Sequence, residues 1–294
     1  MGHAVRPRRS VLYMPGSNAR ALEKARSLPA DALILDLEDA VAPDAKDAAR
    51  AQVVAAAGAG AYGQREVAIR ANGLDTPWGK DDIAAAAGSG ADAVLLPKVE
   101  SAAMVRQAEA VMAESGAPEA QAIWCMMETP LGILHAEEIA GSSPRLACLV
   151  MGTSDLAKDL QAEHTPERLP MLTSLGLCLL AARAHAIAIV DGVHLNLEDN
   201  DGLAAACRQG RDLGFDGKTL IHPRQIEAAN QTFGPDEHDV AEAYAIIAAF
   251  EDAREQGKGV VVVDGKLIEN LHVEGAQRLI ALADAIAELE RAAG

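Results

Sequence analysis

Eight short apolar runs recur along the chain, and each ends in a polar or turn-forming residue. The runs are three to six residues long, rich in Val, Ile, Leu and Ala, and lack the alternation of a strand with one wet face. This pattern is typical of strands that are buried on both faces of a parallel sheet. The runs lie at residues 10–14, 32–35, 67–69, 93–96, 122–127, 146–151, 186–190 and 218–221.

Helical stretches fall between these runs, so the sequence predicts a (β/α)8 barrel of the α/β class. Ser101 precedes an Ala-rich amphipathic stretch as an N-cap does, and Pro130 after Thr129 fits the first turn of a helix. In such a barrel the functional residues lie at the C-terminal ends of the strands. The helical stretches are predicted at residues 17–28, 42–57, 101–115, 131–139, 172–185 and 203–213.

The pattern changes near residue 235. A long helix is predicted over residues 236–256, followed by a hairpin with an Asp264-Gly265 turn and a final helix over residues 273–292. We therefore expect two domains: a barrel catalytic domain over residues 1–235 and a hairpin-plus-helix extension over residues 236–294. Such an extension covers the barrel mouth or packs on a neighbouring subunit.

The amino-acid composition excludes several classes of binding partner. The 294 residues suit one barrel with a tail, and a formal net charge of −17 with 3% aromatic residues argues against nucleic acid and anionic membranes. No apolar stretch is long enough for a bilayer span or a secretory signal. The four cysteines are dispersed without a CxxC motif, which predicts reduced thiols and a cytoplasmic location.

The first predicted strand–helix unit is basic although the whole chain is acidic. Residues 6–26 contain six Lys or Arg residues and only one acidic residue, Glu23. An anionic ligand held by this unit and an ordinary solvated helix face both remain open. The basic residues are Arg6, Arg8, Arg9, Arg20, Lys24 and Arg26.

Two carboxylates, Glu128 and Asp155, follow the fifth and sixth apolar runs. Strand order brings them to neighbouring positions on one barrel rim. Two carboxylates with few other protein ligands suit Mg²⁺, which keeps several waters and accepts substrate oxygens. Helix capping is the alternative, because carboxylates are also favoured at helix N-termini.

Arg70 ends the third run, and an acidic loop is predicted after the second. A guanidinium at this rim donates two hydrogen bonds to a carboxylate or to a developing enolate. The alternative is an ion pair with Asp36, Glu38 and Asp39, and both roles can hold together. Repulsion among those three carboxylates calls for cations, and Arg70, Lys46 and a metal ion are the candidates.

Three further candidate residues lie at the ends of apolar runs. Asp191 is a candidate substrate contact at the end of the seventh run. His222 before Pro223 is interpreted as a helix start. Lys98 is interpreted as structural, because nearby carboxylates keep it charged and so oppose the alternative role of a Schiff-base lysine.

These motifs, in this order, resemble the citrate lyase β-subunit-like family of CoA-ester lyases in the aldolase superfamily. That family includes malyl-CoA, β-methylmalyl-CoA and citramalyl-CoA lyases and a malyl-CoA thioesterase. The resemblance covers essentially the whole chain. The matching segments are RSVLYMPG (9–16), LDLEDAV (35–41), IRANG (69–73), LPKVE (96–100), ETP (128–130), GTSDL (152–156) and IHP (221–223).

The resemblance implies a (β/α)8 barrel with a swapped C-terminal lid, in a homotrimer or a dimer of trimers. It implies Mg²⁺, with Mn²⁺ as a substitute, on Glu128 and Asp155, and it puts Arg70 at the reacting carbonyl. Tyr13 and Lys24 match positions that contact the CoA substrate. A further basic contact of relatives falls on Asn18, which is uncharged, so Arg20 is expected to replace it.

The tail departs from the family pattern. Family lyases usually supply an aspartate from the adjacent subunit, just after the hairpin, as general acid/base. The corresponding residue here is Glu269, which keeps the carboxylate but is one methylene longer. This substitution bears on proton-transfer geometry and on the balance between C–C cleavage and thioester hydrolysis.

Three functions follow as hypotheses. The main expectation is a Mg²⁺-dependent lyase that cleaves a 3-hydroxy-dicarboxylic acyl-CoA into a 2-oxo acid such as glyoxylate and an acyl-CoA, through an enolate that Arg70 stabilises and Glu269 protonates. The first alternative is a thioesterase acting on malyl-CoA with the same metal and Arg70. The second is a non-catalytic subunit that binds a CoA ester or carrier protein.

Overall fold

The computed structural model of the protein describes residues 5–293, and eight parallel strands form a closed barrel in it. Each strand pairs with the next along the chain, and the last pairs with the first. The predicted (β/α)8 barrel is therefore confirmed. The strands are β1 (Ser10–Pro15), β2 (Ala32–Asp36), β3 (Glu66–Arg70), β4 (Ala93–Leu96), β5 (Ala122–Met127), β6 (Leu146–Met151), β7 (Ala188–Asp191) and β8 (Gly217–Leu220).

Ten helices surround the strands of the barrel within the described residues. Ser101 and Thr129 are N-caps, as their positions predicted, and each side chain accepts a hydrogen bond from a backbone N–H three residues on. The helices are α1 (Ala19–Ala25), α2 (Lys46–Gly58), α3 (Gly79–Ala87), α4 (Ala102–Glu114), α5 (Pro130–Leu134), α6 (Ala136–Ala140), α7 (Thr153–Asp159), α8 (Leu172–Ala184), α9 (Asn200–Leu213) and α10 (Ile226–Phe233).

The single helix predicted over residues 131–139 is wrong, because the chain breaks between α5 and α6. His135 leaves helical geometry at this point, and its Nδ1 lies 2.7 Å from the carbonyl oxygen of Glu100. Gly132 lies against the same loop, where a Cβ would come within 2.3 Å of the carbonyl oxygen of Val99. Close packing against the β4–α4 loop therefore overrides the local helical pattern.

The barrel has two apolar cores, which explains why the strands lack alternation. Side chains such as Val11, Ile34 and Trp124 fill the barrel interior, and a larger cluster lies between the sheet and the helices. Both faces of each strand are thus buried. At the C-terminal ends of the strands the interior positions become polar, and Asp36 and Arg70 continue the inward-facing rows of Ile34 and Ala68.

Ion pairs close the opposite, N-terminal end. The Arg8 guanidinium donates two hydrogen bonds to Glu66, at 2.7 and 2.9 Å, and lies 5.3 Å above the Trp124 ring. Arg9 forms a buried two-point contact with Asp31 at the start of β2. Polar residues at this end fasten the chain entry into β1, in keeping with the structural role of that face in such barrels.

The remaining elements form a second compact unit. The chain divides into Arg8–Phe233 and a unit made of the described residues that precede and follow this range. The elements of the second unit are α11 (Glu237–Glu255), β9 (Val261–Val263), β10 (Lys266–Ile268) and α12 (Asn270–Ala293). The functional division predicted after residue 235 stays a prediction.

The hairpin of the second unit has the predicted turn. Asp264 and Gly265 both have positive φ, at 48° and 78°, as a two-residue type I′ turn requires. Ile268 packs with Phe250 and Val273 in a small core. No helix of the described residues is both long and apolar enough to cross a membrane.

Gly217 at the start of β8 offers a test of barrel closure. A Cβ there would lie 1.8 Å from the carbonyl oxygen of Arg8. We expect Gly217→Ala to lower the free energy of unfolding by about 1–3 kcal/mol or more, because the backbone has to move. Urea denaturation measures the change.

Gly176→Ala in α8 is the matched control, since a Cβ there meets open space. It should raise stability by about 0.5–1 kcal/mol through the entropy of the unfolded chain. Equal stabilities of the two variants would contradict the close approach of β8 to Arg8.

Candidate active site

A pocket of about 450 Å³ opens among the C-terminal ends of the barrel strands. One wall is ionic and the other is apolar, so the pocket offers separate surfaces to the polar and nonpolar parts of a ligand. The ionic wall contains Asp36, Asp39, Arg70, Glu128 and Asp155, which are five of the residues that the sequence singled out.

Arg70 is held by carboxylates on three sides. Its Nε and Nη2 donate to the two oxygens of Asp36, at 2.6 and 2.7 Å. Its Nη1 lies 2.8 Å from Glu38 Oε2 and 3.4 Å from Asp39 Oδ2. The guanidinium also lies 5.0 Å from the centre of the Tyr13 ring. The predicted ion pair with the acidic loop is therefore present.

Asp36 organises that loop as well as Arg70. Its oxygens accept hydrogen bonds from the backbone N–H groups of Glu38 and Ala40, at 2.9 and 3.1 Å. Burial opposes ionisation of Asp36, but the charge and hydrogen bonds of Arg70 hold its pKa below the ordinary value. Asp36 is thus a fixed carboxylate that sets both the guanidinium plane and the course of the loop.

Lys46 supports the loop differently from the expectation. Its ammonium donates to the carbonyl oxygens of Leu37 and Glu38 and to the side-chain oxygen of Asn72, at 2.7–2.8 Å. Burial lowers the pKa of Lys46, although the nearby carboxylates oppose the shift. Lys46 therefore fastens the loop backbone instead of pairing with its carboxylates.

Lys98 contacts both Glu128 and Asp155. Glu128 is buried, and its Oε1 accepts the backbone N–H of Lys98 at 2.8 Å. The Lys98 ammonium lies 2.8 Å from Glu38 Oε1 and 3.6 Å from Asp155 Oδ2. Lys98 has a left-handed backbone, with φ of 47°, which is uncommon for a residue with a side chain. This residue was expected to be structural, and the structure places it among the ionic groups of the site.

Gly152, which separates β6 from α7, leaves room for the Glu128 carboxylate. A Cβ on Gly152 would come within 2.3 Å of Glu128 Oε2. Asp155 follows in the first turn of α7, with its side chain one-third exposed. The absence of a side chain at residue 152 therefore lets one buried and one accessible carboxylate share the rim.

The charges of this cluster fit a divalent cation. Five carboxylates and three cationic side chains give it a formal charge of −2. Burial first, and repulsion from Glu38 second, raise the pKa of Glu128 to about 7. Oxygen donors with an uncompensated charge of this size suit Mg²⁺. The residues are Asp36, Glu38, Asp39, Glu128 and Asp155, with Arg70, Lys46 and Lys98.

The apolar wall comes from the loops after β7 and β8. Val193, Leu195 and Ile221 line it. The buried Gln225 joins these loops, because its Oε1 accepts the backbone N–H of Ile221 and its Nε2 donates to the carbonyl oxygen of His194, both at 3.0 Å. One glutamine thus fixes the spacing of the wall.

Asp191 does not line the pocket, which corrects the expected substrate contact. Val190 faces the barrel interior, so Asp191 faces the helices and is fully buried. Arg168 Nη1 donates to both of its oxygens, at 2.8 and 2.7 Å, and Lys218 Nζ lies 3.1 Å away. Asp191 is therefore a buried counter-ion behind the sheet.

Arg168 was missed because its loop gives no local signal. Its backbone is left-handed, with φ of 52°, and its Nε donates to Gln209 Oε1 at 2.6 Å. The bond to Gln209 reaches α9, and the bond to Asp191 reaches β7. The long connection between α7 and α8 is thereby fastened at one point.

The basic residues of the first unit lie outside the pocket. Arg20 and Lys24 are exposed on α1, four residues apart and so on one helix face. Asn18 caps that helix by accepting the backbone N–H of Ala21. Tyr13 does line the pocket, and its hydroxyl donates to Met126 Sδ at 3.3 Å. The predicted CoA contacts stay predictions.

Two other expectations concern His222 and Glu269. His222 precedes a short helical turn, and its Nδ1 accepts the backbone N–H of Arg224, as a helix start predicts. Glu269 lies in the second unit before α12, is exposed, and donates its backbone N–H to His272 Nδ1. Its catalytic role stays a prediction.

The barrel and its rim of paired carboxylates with a buried arginine define an α/β-barrel enzyme. Residues 9–223 match the family described as HpcH/HpaI aldolase/citrate lyase. The chain belongs to this family, which confirms the resemblance found from its motifs.

The sequence relatives include both thioesterases and citrate lyase subunits. A (3S)-malyl-CoA thioesterase of Cereibacter sphaeroides (strain ATCC 17025) is 54% identical over 287 residues, 98% of each chain. A citrate lyase subunit beta of Leuconostoc mesenteroides subsp. cremoris is 38% identical, over 95% of this chain and 94% of its own. The main expectation of a carbon–carbon lyase is therefore corrected, because the more similar relatives are thioesterases.

Solved structures support the fold and the metal. CitE from Mycobacterium tuberculosis, in complex with magnesium, acetoacetate and coenzyme A, superimposes with a TM-score of 0.76 at 27% identity, covering 96% of this chain and 99% of its own. RipC from Yersinia pestis gives a TM-score of 0.68 at 29% identity, covering 81% and 100%. Magnesium in solved relatives confirms the metal expected for this family.

The buried Asp191 cluster makes a testable distinction. We expect Asp191→Ala to lower the free energy of unfolding by about 3–5 kcal/mol, because it leaves the buried Lys218 and the partly buried Arg168 without their carboxylate. Denaturant unfolding measures the loss. Asp212→Ala, which removes an exposed partner of Arg211, should change stability by less than about 0.5 kcal/mol. A fully stable Asp191→Ala protein with a raised KM would restore the substrate-contact interpretation.

Proposed function

We propose that this protein is a Mg²⁺-dependent thioesterase that hydrolyses a 3-hydroxy-dicarboxylic acyl-CoA such as malyl-CoA. The observation that carries the proposal is the 54% identity, over 98% of both chains, to a (3S)-malyl-CoA thioesterase. The two-walled pocket supports it. Its ionic wall suits the hydroxyl, carboxylate and thioester oxygens of such a substrate, and its apolar wall suits the carbon chain.

Glu128 and Asp155 would hold the metal ion. When bound, Mg²⁺ supplies Lewis-acid polarisation of substrate oxygens. The protein contributes the two carboxylates at fixed positions, because Lys98 N–H orients Glu128 and the first turn of α7 carries Asp155. The exposed side of Asp155 leaves the substrate oxygens access to the site.

Arg70 is the proposed catalytic donor to the thioester carbonyl. Asp36 takes Nε–H and one hydrogen of Nη2, and Nη1 faces Glu38 and Asp39. A guanidinium has five N–H groups, so the other Nη2 hydrogen is left for a ligand. A donor whose plane is already fixed stabilises a developing oxyanion without reorganisation.

CoA recognition and assembly extend the proposal. Arg20 and Lys24 on α1 would bind anionic groups of CoA, with Tyr13 lining the acyl pocket. Following the family resemblance, the chain would assemble as a homotrimer or dimer of trimers, with Glu269 near another copy's site. The exposed Val262 and Leu267 of the hairpin would suit a contact between subunits. The four cysteines are free and buried, which supports the proposed cytoplasmic location.

Product analysis tests the proposed reaction. Purified protein with Mg²⁺ and malyl-CoA should release free CoA and malate in equal amounts. A thiol reagent and chromatography measure the two products. Release of glyoxylate and acetyl-CoA would overturn hydrolysis, and tight binding without turnover would support a non-catalytic subunit.

Replacing Glu128 tests the metal assignment. We expect Glu128→Gln to weaken Mg²⁺ binding at least about tenfold by calorimetry and to lower kcat, because a neutral amide is a poor ligand for a hard cation. The amide oxygen can still accept Lys98 N–H, so the melting temperature should be kept. Glu137→Gln, an exposed carboxylate on α6, is the control. Unchanged Mg²⁺ affinity in Glu128→Gln would exclude Glu128 as a ligand.

A further inference from the structure

Hydrolysis needs a group that neither the metal ligands nor Arg70 supply. A water molecule must lose a proton as its oxygen attacks the thioester carbonyl. Carbon–carbon cleavage has no such step, so this inference rests on the proposed thioesterase function. The base must reach the pocket and must have an oxygen that is not already engaged.

Asp36 fails this requirement. Its two oxygens accept hydrogen bonds from Arg70 Nε and Nη2 and from the backbone N–H groups of Glu38 and Ala40. The residue is 2% exposed. A carboxylate with both oxygens engaged by a guanidinium is a poor proton acceptor.

Glu38 is excluded because it does not line the pocket, and the proposed metal ligands are excluded by their role. Glu38 Oε1 accepts from the Lys98 ammonium at 2.8 Å, Glu38 Oε2 lies 2.8 Å from Arg70 Nη1, and Glu38 is not among the pocket-lining residues. Glu128 and Asp155 would donate their oxygens to the metal ion. One carboxylate of the ionic wall remains.

That carboxylate is Asp39. It lines the pocket, and its side chain is 62% exposed. Its contact with Arg70 Nη1, through Oδ2, is long at 3.4 Å. Asp39 therefore combines access to the pocket with a weakly engaged carboxylate, unlike Asp36 and Glu38.

The backbone around Asp39 is nevertheless fixed. The N–H of the next residue, Ala40, is bound to Asp36 Oδ2, and Lys46 binds the carbonyl oxygens of Leu37 and Glu38. A further turn bond joins the N–H of Val41 to the Glu38 carbonyl oxygen at 3.1 Å. A held loop thus presents a weakly engaged carboxylate, which is what a positioned base requires.

We propose that Asp39 is the general base that activates water for thioester hydrolysis. Its carboxylate takes a proton from water as the water oxygen bonds to the thioester carbon and the carbonyl electron pair moves to oxygen, beside Arg70. Collapse of this intermediate re-forms the carbonyl and breaks the C–S bond. The proton on Asp39 then passes to the leaving sulfur, so the products are the free acid and the CoA thiol.

Asp39→Ala, with formate added back, tests this role. We expect kcat to fall about 10²–10⁴-fold. Mg²⁺ affinity by calorimetry and the melting temperature should stay at wild-type values. Formate should restore part of kcat in this variant, because a small carboxylate can take the place of the missing side chain. It should not change kcat of the wild-type protein. Asp39→Asn serves as the near-isosteric second variant and should lose activity equally.

Asp44→Ala is the matched control. Asp44 is exposed on the same segment, in the short helical turn before α2. It should keep wild-type kcat and show no response to formate.

The proposal is overturned if Asp39→Ala and Asp39→Asn keep kcat within about twofold, or if formate fails to restore a folded, Mg²⁺-binding Asp39→Ala protein. Loss of hydrolysis in Glu269→Gln while Asp39→Ala stays active would assign the step to Glu269 instead. Failure of the wild-type protein to release CoA would refute the proposed function itself, whereas an active wild type with an active Asp39→Ala would refute only the base.

Discussion

The buried pair of Arg70 and Asp36 is the interaction on which the site depends. It joins the ends of β2 and β3 by two short hydrogen bonds. Because Asp36 also accepts two loop N–H groups, the same carboxylate directs the loop that carries Glu38 and Asp39. Removing Arg70 would leave the buried charge of Asp36 uncompensated, and removing Asp36 would release the loop, so catalysis and local folding share one contact.

The fold and the polar rim could be predicted because both arise from local, repeated patterns. Apolar runs define the strands, and parallel strands bring their C-terminal ends to one rim, so Arg70, Glu128 and Asp155 gather there. The face that each end residue takes was not predictable, because a run without alternation carries no information about register. Asp191 therefore turned out to face the helices, and its partner Arg168 comes from a loop without a motif.

The sequence motifs alone could not distinguish carbon–carbon cleavage from thioester hydrolysis. The metal carboxylates, the arginine and the barrel serve either reaction, and a single methylene at Glu269 is a weak discriminator. Similarity to a thioesterase over nearly the whole chain, higher than to a citrate lyase subunit, favours hydrolysis over cleavage. The structure adds a physical requirement. Hydrolysis needs a proton acceptor in the pocket, and most of the rim carboxylates are already engaged.

Lys98 gives this site a property that a pair of carboxylates alone would lack. Its left-handed backbone aims the N–H at Glu128 while its side chain reaches Glu38 and Asp155. Such a conformation costs on the order of 1–3 kcal/mol, which the surrounding contacts must offset. One residue thereby acts as an internal counterion that restrains mutually repelling groups before any ion arrives. The two carboxylates that would hold Mg²⁺ are thus restrained without the ion, so metal binding would need little rearrangement of the rim.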